Sequence, residues 1–231
     1  MPSIVLPTVS RRAFVQATVH TMVEVAAARV LGCSSEVVQS TCLYDETPPT
    51  PRELNPDGKV YPSGPYGSQV DQVFPNLAFS AMPKPDRASL TPISLIDYYD
   101  PDRQHHKLLH LMVIAMWCPV CAQETSMMPA VYDEYYERGL RVMQIAVNGF
   151  ERRTSANLCD AQKWIEKYGL AFPLCLDPGA ETLAQIIKIV GVPWNVTIDT
   201  STMRITSRMF AAPVDYKKYI EALLQAAELD K

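Results

Sequence analysis

The chain has 231 residues, of which 20% are charged, and its formal net charge is −4 at pH 7. An acidic chain without a basic stripe is atypical of nucleic-acid binders, so we expect no nucleic-acid partner. No apolar run reaches the ~18 residues that suggest a membrane-spanning helix. The length is sufficient for one well-packed domain preceded by an extension.

Residues 1–32 resemble a bacterial export signal. The two arginines within Ser10–Val15 are similar to a twin-arginine signal, and a moderately apolar stretch then leads to Leu31-Gly32-Cys33. That ending resembles a lipoprotein cleavage box, in which Cys33 would carry a lipid and tether the protein to a membrane. The pattern predicts a location in the bacterial cell envelope, in the periplasm and lipid-anchored.

The same residues also fit an amphipathic N-terminal helix, with a cytoplasmic location as the alternative. Apolar side chains recur there at helical spacing, and charged or polar side chains interrupt the stretch. The apolar positions are Val15, Val19, Met22, Ala26 and Val30, and the interruptions are His20, Glu24 and Arg29. The sequence therefore leaves both interpretations open.

Residues 33–70 have the composition of a linker. Six of the 19 prolines and three of the nine glycines fall between Pro48 and Gly67. Because proline has no amide donor and glycine no side chain to pack, we expect neither a helix nor a central strand here. Cys42 could pair with Cys33 if Cys33 is not lipidated.

From residue 71 to residue 231 the hydrophobic pattern predicts one domain of alternating strands and helices. Strands are predicted at 74–79, 107–117, 141–147 and 172–176, and an apolar element of either type at 93–99. Helices are predicted from residue 119 to Gly139, at 158–168, at 183–190 and at 213–229, with a hairpin at 194–199 and 203–210. The order indicates an α/β fold, in which helices flank a mixed central sheet with a final antiparallel hairpin.

Two cysteines follow the apolar strand at 107–117, in the motif Trp117-Cys118-Pro119-Val120-Cys121. Strand, Cys-x-x-Cys and helix in this order are typical of a dithiol redox couple; half of a zinc site and two ordinary buried thiols are the alternatives. Unpaired amides at a helix start favour an anion, so Cys118 is predicted to be the attacking thiol. Cys121 lies one turn further in and is predicted to resolve the mixed disulfide.

A second signal lies far downstream, where Val192-Pro193 precedes the strand at 194–199. An X-Pro bond at a strand entrance is a candidate cis peptide. Proline is tolerated at the first position of a strand because it donates nothing to the ladder. The alternative is a trans proline that ends the preceding helix.

Together these features resemble the thioredoxin superfamily, and within it the TlpA/ResA-like redoxins of bacterial envelopes. The resemblance spans residues 71–231 and implies a thioredoxin-like fold with a helix-and-strand insertion at 148–178. Trp117 and the two cysteines match the family's active-site motif. Glu124 matches an acidic position that assists proton transfer in this family, although a glutamate is otherwise expected to be a solvated helix charge.

The resemblance also implies which residues contact a substrate. Val192-Pro193 matches the family's cis-proline segment, which lies against the dithiol and lets the backbone of Val192 pair with an incoming peptide. Trp117, Pro119 and Trp194 are the other expected contacts. Trp194 stands where the family usually has threonine or a small residue, and it would narrow the access of a substrate.

The activity that the resemblance implies is thiol-disulfide exchange with protein thiols and disulfides, together with an upstream redox partner. No dissociable cofactor is expected, because the cysteine pair carries the electrons. The dipeptide between the cysteines, Pro119-Val120, is unusual for the family and influences the redox potential. The direction of electron flow is therefore left open.

Two other functions are weighed against this one. A peroxiredoxin would need a Pro-x-x-x-Thr-x-x-Cys motif, but Leu111 and Ala115 stand at the corresponding positions before Cys118. A structural zinc site often uses two Cys-x-x-Cys pairs, and the second pair is missing, so no metal ligands are predicted. Cys159 and Cys175 either form a disulfide or stay thiols, since spacing alone does not decide.

Overall fold

The computed structural model describes residues 42–82, 90–187 and 191–229. The chain divides into two compact units, Met1–Leu43 and Tyr44–Lys231. Only Cys42 and Leu43 of the first unit are described, so the predicted export segment and Cys33 lie outside the described residues. Within the described ranges, no helix is long and apolar enough to cross a membrane.

A seven-stranded sheet forms the centre of the second unit. Its strands are β1 (Ala78–Met82), β2 (Thr91–Ser94), β3 (Leu108–Ala115), β4 (Leu140–Asn148), β5 (Leu174–Leu176), β6 (Trp194–Asp199) and β7 (Arg204–Phe210). Their order across the sheet is β2-β1-β5-β4-β3-β6-β7. Strands β3, β4 and β5 are parallel, whereas β6 and β7 join antiparallel beside β3. The predicted mixed sheet is thereby confirmed.

Three helices accompany the sheet, namely α1 (Pro119–Tyr135), α2 (Leu158–Tyr168) and α3 (Tyr216–Leu229). Helix α1 connects β3 to β4, and α2 connects β4 to β5, as expected for parallel strands with crossover helices. Asn157 is the N-cap of helix α2, and its side chain accepts a hydrogen bond from the backbone N–H of Asp160. Gly169 is the C-cap and has the left-handed conformation. The alternating order predicted from the sequence holds for these elements.

The helix predicted at 183–190 is not present in its described part. The chain instead forms two short 3-10 turns, Pro178–Ala180 and Leu183–Gln185, and residues 188–190 lie outside the description. Ile186, which follows the second turn, has φ −127° and ψ −24°, outside the range of a right-handed α-helix. In the described part of the segment, the sequence prediction is therefore wrong beyond Gln185.

The sheet is covered on both faces, and this explains the apolar composition of β3. Alternate residues of β3 pack into two separate clusters: Met112 and Ile114 on the face that carries the three helices, Leu111 and Val113 on the other. The second face is covered by irregular chain, including Phe74 and Leu95. Every residue of β3 is therefore buried.

Residues 44–70, predicted to be part of a linker, belong to the same compact unit as the sheet. They contain isolated bridges but no helix or strand of their own. Several hydrogen bonds attach them to the domain, among them Arg52 N–H to Ser94 Oγ at 3.0 Å, Asn55 Nδ2 to the Tyr99 carbonyl at 2.9 Å, and Tyr61 Oη to the Phe74 carbonyl at 2.7 Å. The segment thus lies against the domain, and the compact unit begins at Tyr44 rather than at residue 71.

Candidate active site

Cys118 and Cys121 lie where β3 ends and α1 begins. Cys118 is the N-cap of α1, and its Sγ accepts the backbone N–H of Cys121 at 3.5 Å. Pro119 occupies the first helical position, where its missing amide donor leaves no hydrogen bond unmade. The local sequence therefore directs one cysteine to the helix start and the other one turn into the helix.

The two thiols differ in burial. The side chain of Cys118 is 6% exposed and that of Cys121 is fully buried. Burial raises the pKa of the Cys121 thiol well above its usual value, and the neighbouring Cys118 and Glu124 raise it further. Both cysteines are free thiols in the structure. A disulfide of another molecule can therefore approach Cys118 but not Cys121.

The loop that precedes β6 lies against this dithiol. The Val192-Pro193 peptide bond is cis, which confirms the prediction for this bond. The Sγ of Cys118 lies 3.8 Å from the carbonyl oxygen of Val192. A surface groove lined by Trp117, Asn148 and Gly191 runs beside Val192. Trp117 and Val192 are thus brought together with the reactive sulfur.

The rim of the groove is both aromatic and apolar. The guanidinium of Arg152 stacks over the Trp117 ring at 4.6 Å from its centroid, a contact typical of cation–π pairs. Pro119 and Val120 are exposed beside Cys118, and 44% of Val120 is accessible. An apolar surface next to the reactive sulfur suits contact with a polypeptide substrate.

Trp194 does not join this group, contrary to the expectation that it narrows substrate access. Its side chain is fully buried in the cluster on the sheet face opposite the helices, 6.5 Å from the Phe74 ring. Successive residues of a strand point to opposite faces, so Trp194 and its neighbour Asn195 face different layers. The side chain of Trp194 therefore contributes to the core rather than to the groove.

Glu124 is fully buried, which excludes a solvated helix charge. Its Oε1 accepts a hydrogen bond from Asn195 Nδ2 at 2.5 Å and another from the hydroxyl of Tyr216, whereas no described residue bonds Oε2. Burial raises the pKa of this carboxyl, although the two donors oppose the shift. A carboxyl with a raised pKa is suited to exchange protons with a nearby thiol.

The sequence reasoning missed the partners of Glu124. Asn195 lies on β6 and Tyr216 on α3, and His110, a polar residue in the apolar strand β3, contacts Tyr216. The signal available was the alternation of polar residues along β6 and the single histidine within β3. Neither pattern indicates which helix covers these strands.

The other cysteines among the described residues fall into two classes. Cys175 is a buried free thiol, whereas Cys42 and Cys159 are disulfide-bonded. A Cys159–Cys175 disulfide is therefore excluded. In the part of the chain that the structure describes, no group of three or more histidine, cysteine or acidic side chains is arranged to hold a metal ion.

Comparison with known proteins agrees with this geometry. Residues 70–201 match the family model of AhpC/TSA. The thiol-disulfide oxidoreductase ResA of Halalkalibacterium halodurans is 34% identical over 67 residues, which are 29% of this chain and 34% of that protein. The chain thus matches about a third of the length of this curated relative.

Two solved structures illustrate the shared fold. A thiol:disulfide interchange protein of the thioredoxin family from Chlorobium tepidum TLS has a TM-score of 0.52 at 18% identity, over 69% of this chain and 99% of its own. The reduced 2-Cys peroxiredoxin of Plasmodium vivax has a TM-score of 0.52 at 14% identity, over 70% of this chain and 84% of its own. The chain has the fold of the thioredoxin superfamily and, since the matching family model covers more than half of it, belongs to the AhpC/TSA family.

Proposed function

We propose that the protein is a thiol-disulfide oxidoreductase that exchanges disulfides with protein substrates through Cys118 and Cys121. The observation that carries this proposal is the pair of free thiols at the start of α1, of which Cys118 is 6% exposed and Cys121 is fully buried. Such a pair can attack a disulfide and then release the product without an external thiol. No dissociable cofactor is required, because the two sulfurs carry the electrons.

In the reducing direction, the thiolate of Cys118 attacks one sulfur of a substrate disulfide and the other substrate sulfur leaves as a thiolate. The mixed disulfide is then attacked by Cys121, whose proton moves to Glu124. The Cys118–Cys121 disulfide forms, and the second substrate thiolate leaves and takes up a proton. Two electrons pass to the substrate, and the opposite direction runs through the same steps in reverse.

Glu124 is proposed as the proton acceptor for Cys121. Both residues lie on the buried side of α1, three residues apart, and the charge of Glu124 raises the pKa of the Cys121 thiol. A buried thiol does not ionise unaided near neutral pH, so a base at this position lowers the barrier to the resolving step.

Substrate binding is proposed along the groove beside Val192. The groove is lined by Trp117 and Val192, and the exposed residues Pro119 and Val120, which follow Cys118 in the chain, add apolar surface. A polypeptide bound here would bring its disulfide to Cys118, which is the more accessible of the two thiols. The partners are thus protein thiols or disulfides, with a second redox protein that restores the starting state of the pair.

A peroxidase function is less well supported. Leu111 and Ala115 stand where a peroxiredoxin has its proline and its threonine hydroxyl, and both are fully buried apolar residues of β3. No hydroxyl is therefore supplied from that position to activate a peroxide.

We also propose that the protein is exported to the bacterial envelope and anchored through a lipid on Cys33. The twin arginines and the Leu31-Gly32-Cys33 ending support this location. The mass of the mature N-terminus tests the proposal: a chain that begins at a lipidated Cys33 supports it, and an intact Met1 overturns it in favour of a cytoplasmic protein.

The activity is tested by insulin reduction together with the trapping of mixed disulfides. We expect turnover by the wild type, and a covalent complex on Cys118 that accumulates in Cys121→Ser because the resolving thiol is missing. Cys118→Ser should trap nothing, and Cys175→Ser, which alters a buried thiol outside the groove, should behave as the wild type. Absence of both turnover and trapping would overturn the proposed function.

A further inference from the structure

A row of polar side chains crosses the apolar layer between the sheet and two of its helices. It comprises Glu124 on α1, Tyr216 and Tyr219 on α3, His110 on β3 and Thr197 on β6. Four of these residues are at most 5% exposed, namely Glu124, His110, Thr197 and Tyr216. The fifth, Tyr219, is partly exposed. His110 pairs with Thr197 in the strand register, so both point into the layer beneath α3.

Hydrogen bonds join these groups into one continuous chain. The hydroxyl of Tyr216 donates to Glu124 Oε1, and it lies 3.4 Å from Nε2 of His110. Nδ1 of His110 lies 2.8 Å from Thr197 Oγ1, which lies 2.7 Å from the hydroxyl of Tyr219. The chain therefore leads from the buried carboxyl to a tyrosine at the edge of the layer.

The number of hydrogens in this chain fixes the direction of its bonds. When Glu124 is ionised, Tyr216 gives its one hydrogen to the carboxylate, so its oxygen must accept from Nε2–H of His110. Nδ1 then carries no hydrogen and accepts from Thr197, whose oxygen accepts from Tyr219. Burial lowers the pKa of His110 to about 3, so the ring stays neutral and has only one N–H.

Protonation of Glu124 on Oε1 reverses every bond. The carboxyl then donates to the oxygen of Tyr216, and Tyr216 gives its hydrogen to Nε2 of His110. The single ring hydrogen must now lie on Nδ1, from which it is donated to Thr197, and Thr197 donates to Tyr219. The two ionisation states of Glu124 thus require opposite tautomers of His110.

We propose that Tyr216, His110, Thr197 and Tyr219 form a proton path through which Glu124 exchanges its proton with solvent, and that the tautomer of His110 inverts with each exchange. The proposal rests on the proposed function of Glu124. On loss of the proton, Glu124 passes it to Tyr216, each group passes its own hydrogen outward, and Tyr219 releases one proton to water. No heavy-atom bond changes and no electrons move, and proton uptake is the reverse.

Such a path gives Glu124 a route to solvent that does not run through the groove. A polypeptide seated on Trp117 and Val192 would cover the groove at the moment when Cys121 and Glu124 exchange a proton. The path leaves from the helix side of the sheet instead. Tyr216 and His110 are accordingly proton-relay residues that act through Glu124 and do not contact substrate.

The titratable groups that face this path are few. Glu124 and Cys121 lie on α1, His110 on β3, and Tyr216 and Tyr219 on α3. From β6 and β7 the path is faced by Asn195, Thr197 and Ser207, which stay neutral in the working range. Burial raises the pKa of both phenols, so they stay protonated. In the disulfide form Cys121 has no proton, and only Glu124 is left to change charge near neutral pH.

The test is a titration of the full-length disulfide form by NMR, from about pH 4 to about pH 9, which spans the range of a raised carboxyl pKa. The nitrogen shifts of the His110 ring report its tautomer, and the carboxyl carbon of Glu124 reports ionisation. We expect the ring hydrogen to move from Nδ1 to Nε2 at the same midpoint as Glu124 loses its proton. A His110 ring that keeps one tautomer while Glu124 titrates overturns the proposal.

Three variants sharpen the result. In Glu124→Gln the tautomer should no longer depend on pH. In Tyr216→Phe the carboxyl should still titrate while the His110 ring no longer follows it. The control is Tyr135→Phe, which removes another buried hydroxyl between α1 and α3, one that bonds the carbonyl of Lys217 outside the path. It should behave as the wild type.

The outcome is separable from the test of activity. A tautomer switch without insulin reduction would support the path and overturn the proposed function. Insulin reduction with a fixed His110 tautomer would support the proposed function and overturn the path. A tautomer that still follows pH in Tyr216→Phe would also overturn the path, because the link between Glu124 and His110 is then absent.

Discussion

The Sγ of Cys118 lies 3.8 Å from the carbonyl oxygen of Val192, although 74 residues separate the two in the chain. This contact joins the start of α1, which follows β3, to the loop that precedes β6. Strands β3 and β6 are antiparallel neighbours in the sheet. It places the sulfur of Cys118 beside Val192, a residue that lines the groove, whereas Cys121 is fully buried. The chemistry of the two thiols should differ accordingly.

Mild alkylation of the reduced protein should therefore label one cysteine first. Only thiolates react readily, and burial raises the pKa of the Cys121 and Cys175 thiols, so both stay protonated near neutral pH. Peptide mass spectrometry after a short treatment with iodoacetamide should show the label on Cys118. Equal labelling of Cys121 would contradict the assignment of attacking and resolving roles, and Cys175 serves as the internal control for a buried thiol.

The pH dependence of stability should report the burial of Glu124. Burial raises the pKa of its carboxyl in the folded state, so the folded protein binds more protons than the unfolded chain between the two pKa values. The stability due to this group is complete below the unfolded pKa and is lost as pH rises through the folded one. We expect urea unfolding to show that the wild type loses stability relative to Glu124→Gln as the pH rises from the unfolded pKa through the raised folded pKa of this carboxyl.

Glu221 provides the control of opposite sign. Arg138 donates two hydrogen bonds to this partly exposed carboxylate, and these bonds lower its pKa. Its contribution is present above the unfolded pKa and is lost as pH falls, so Glu221→Gln should show the reverse trend with a small amplitude. A difference between wild type and Glu124→Gln that stays constant with pH would contradict the prediction.

Gln144 should be required for the stability of the helical layer. Its Nε2 donates to Thr125 Oγ1 at 2.8 Å, and its Oε1 accepts from Trp164 Nε1 at 2.9 Å, so it joins α1 and α2 to β4. Gln144→Leu would leave the indole N–H of Trp164 buried without an acceptor, and we expect a loss of about 2 kcal/mol in the free energy of unfolding.

The matched control is Gln123→Leu on the exposed side of α1. A surface substitution of this kind should change the free energy of unfolding by no more than about 0.5 kcal/mol. If Gln144→Leu and Gln123→Leu change the free energy of unfolding in urea equally, the buried hydrogen bonds of Gln144 contribute no stability of their own.

Substitution by alanine at two glycines with positive φ should lower the stability of the fold by unequal amounts. Gly139 has φ +102°, and an added Cβ would lie 2.8 Å from Lys107 Cγ and 3.1 Å from the backbone nitrogen of Lys107. Gly169 has φ +60° and nothing within 4 Å of that position. Gly169→Ala should cost about 1 kcal/mol for the left-handed backbone alone, and Gly139→Ala should cost more because β3 begins beside it. Thermal unfolding of both variants measures the difference, and equal losses would contradict it.

Much of the sheet and the position of the dithiol could be predicted from local patterns. Unbroken apolar runs indicate covered strands, and Cys118-Pro119 at a strand-to-helix junction indicates a helix start, because both signals depend on neighbouring residues. The helix predicted at 183–190 ends at Gln185 in the described part because Ile186 leaves the helical conformation, and no local pattern indicates this break.

The surroundings of Glu124 could not be predicted in the same way. Its partners Asn195 and Tyr216 lie 71 and 92 residues away in the chain. Periodicity assigns a residue to a face of its own helix or strand, but it does not say which other element covers that face. For this reason neither the burial of Trp194 nor the contact of His110 with Tyr216 could be predicted from the sequence.

The sequence by itself determined the position of the two cysteines at a strand-to-helix junction, the strand and helix that hold them, and the alternation that builds the sheet. These follow from interactions within a few residues. Only the tertiary structure decided that Glu124 is buried, that Trp194 faces the opposite layer, and that Tyr216 connects the carboxyl to His110. Those outcomes depend on which distant segments exclude water from a side chain, and that exclusion arises only when the layers pack together.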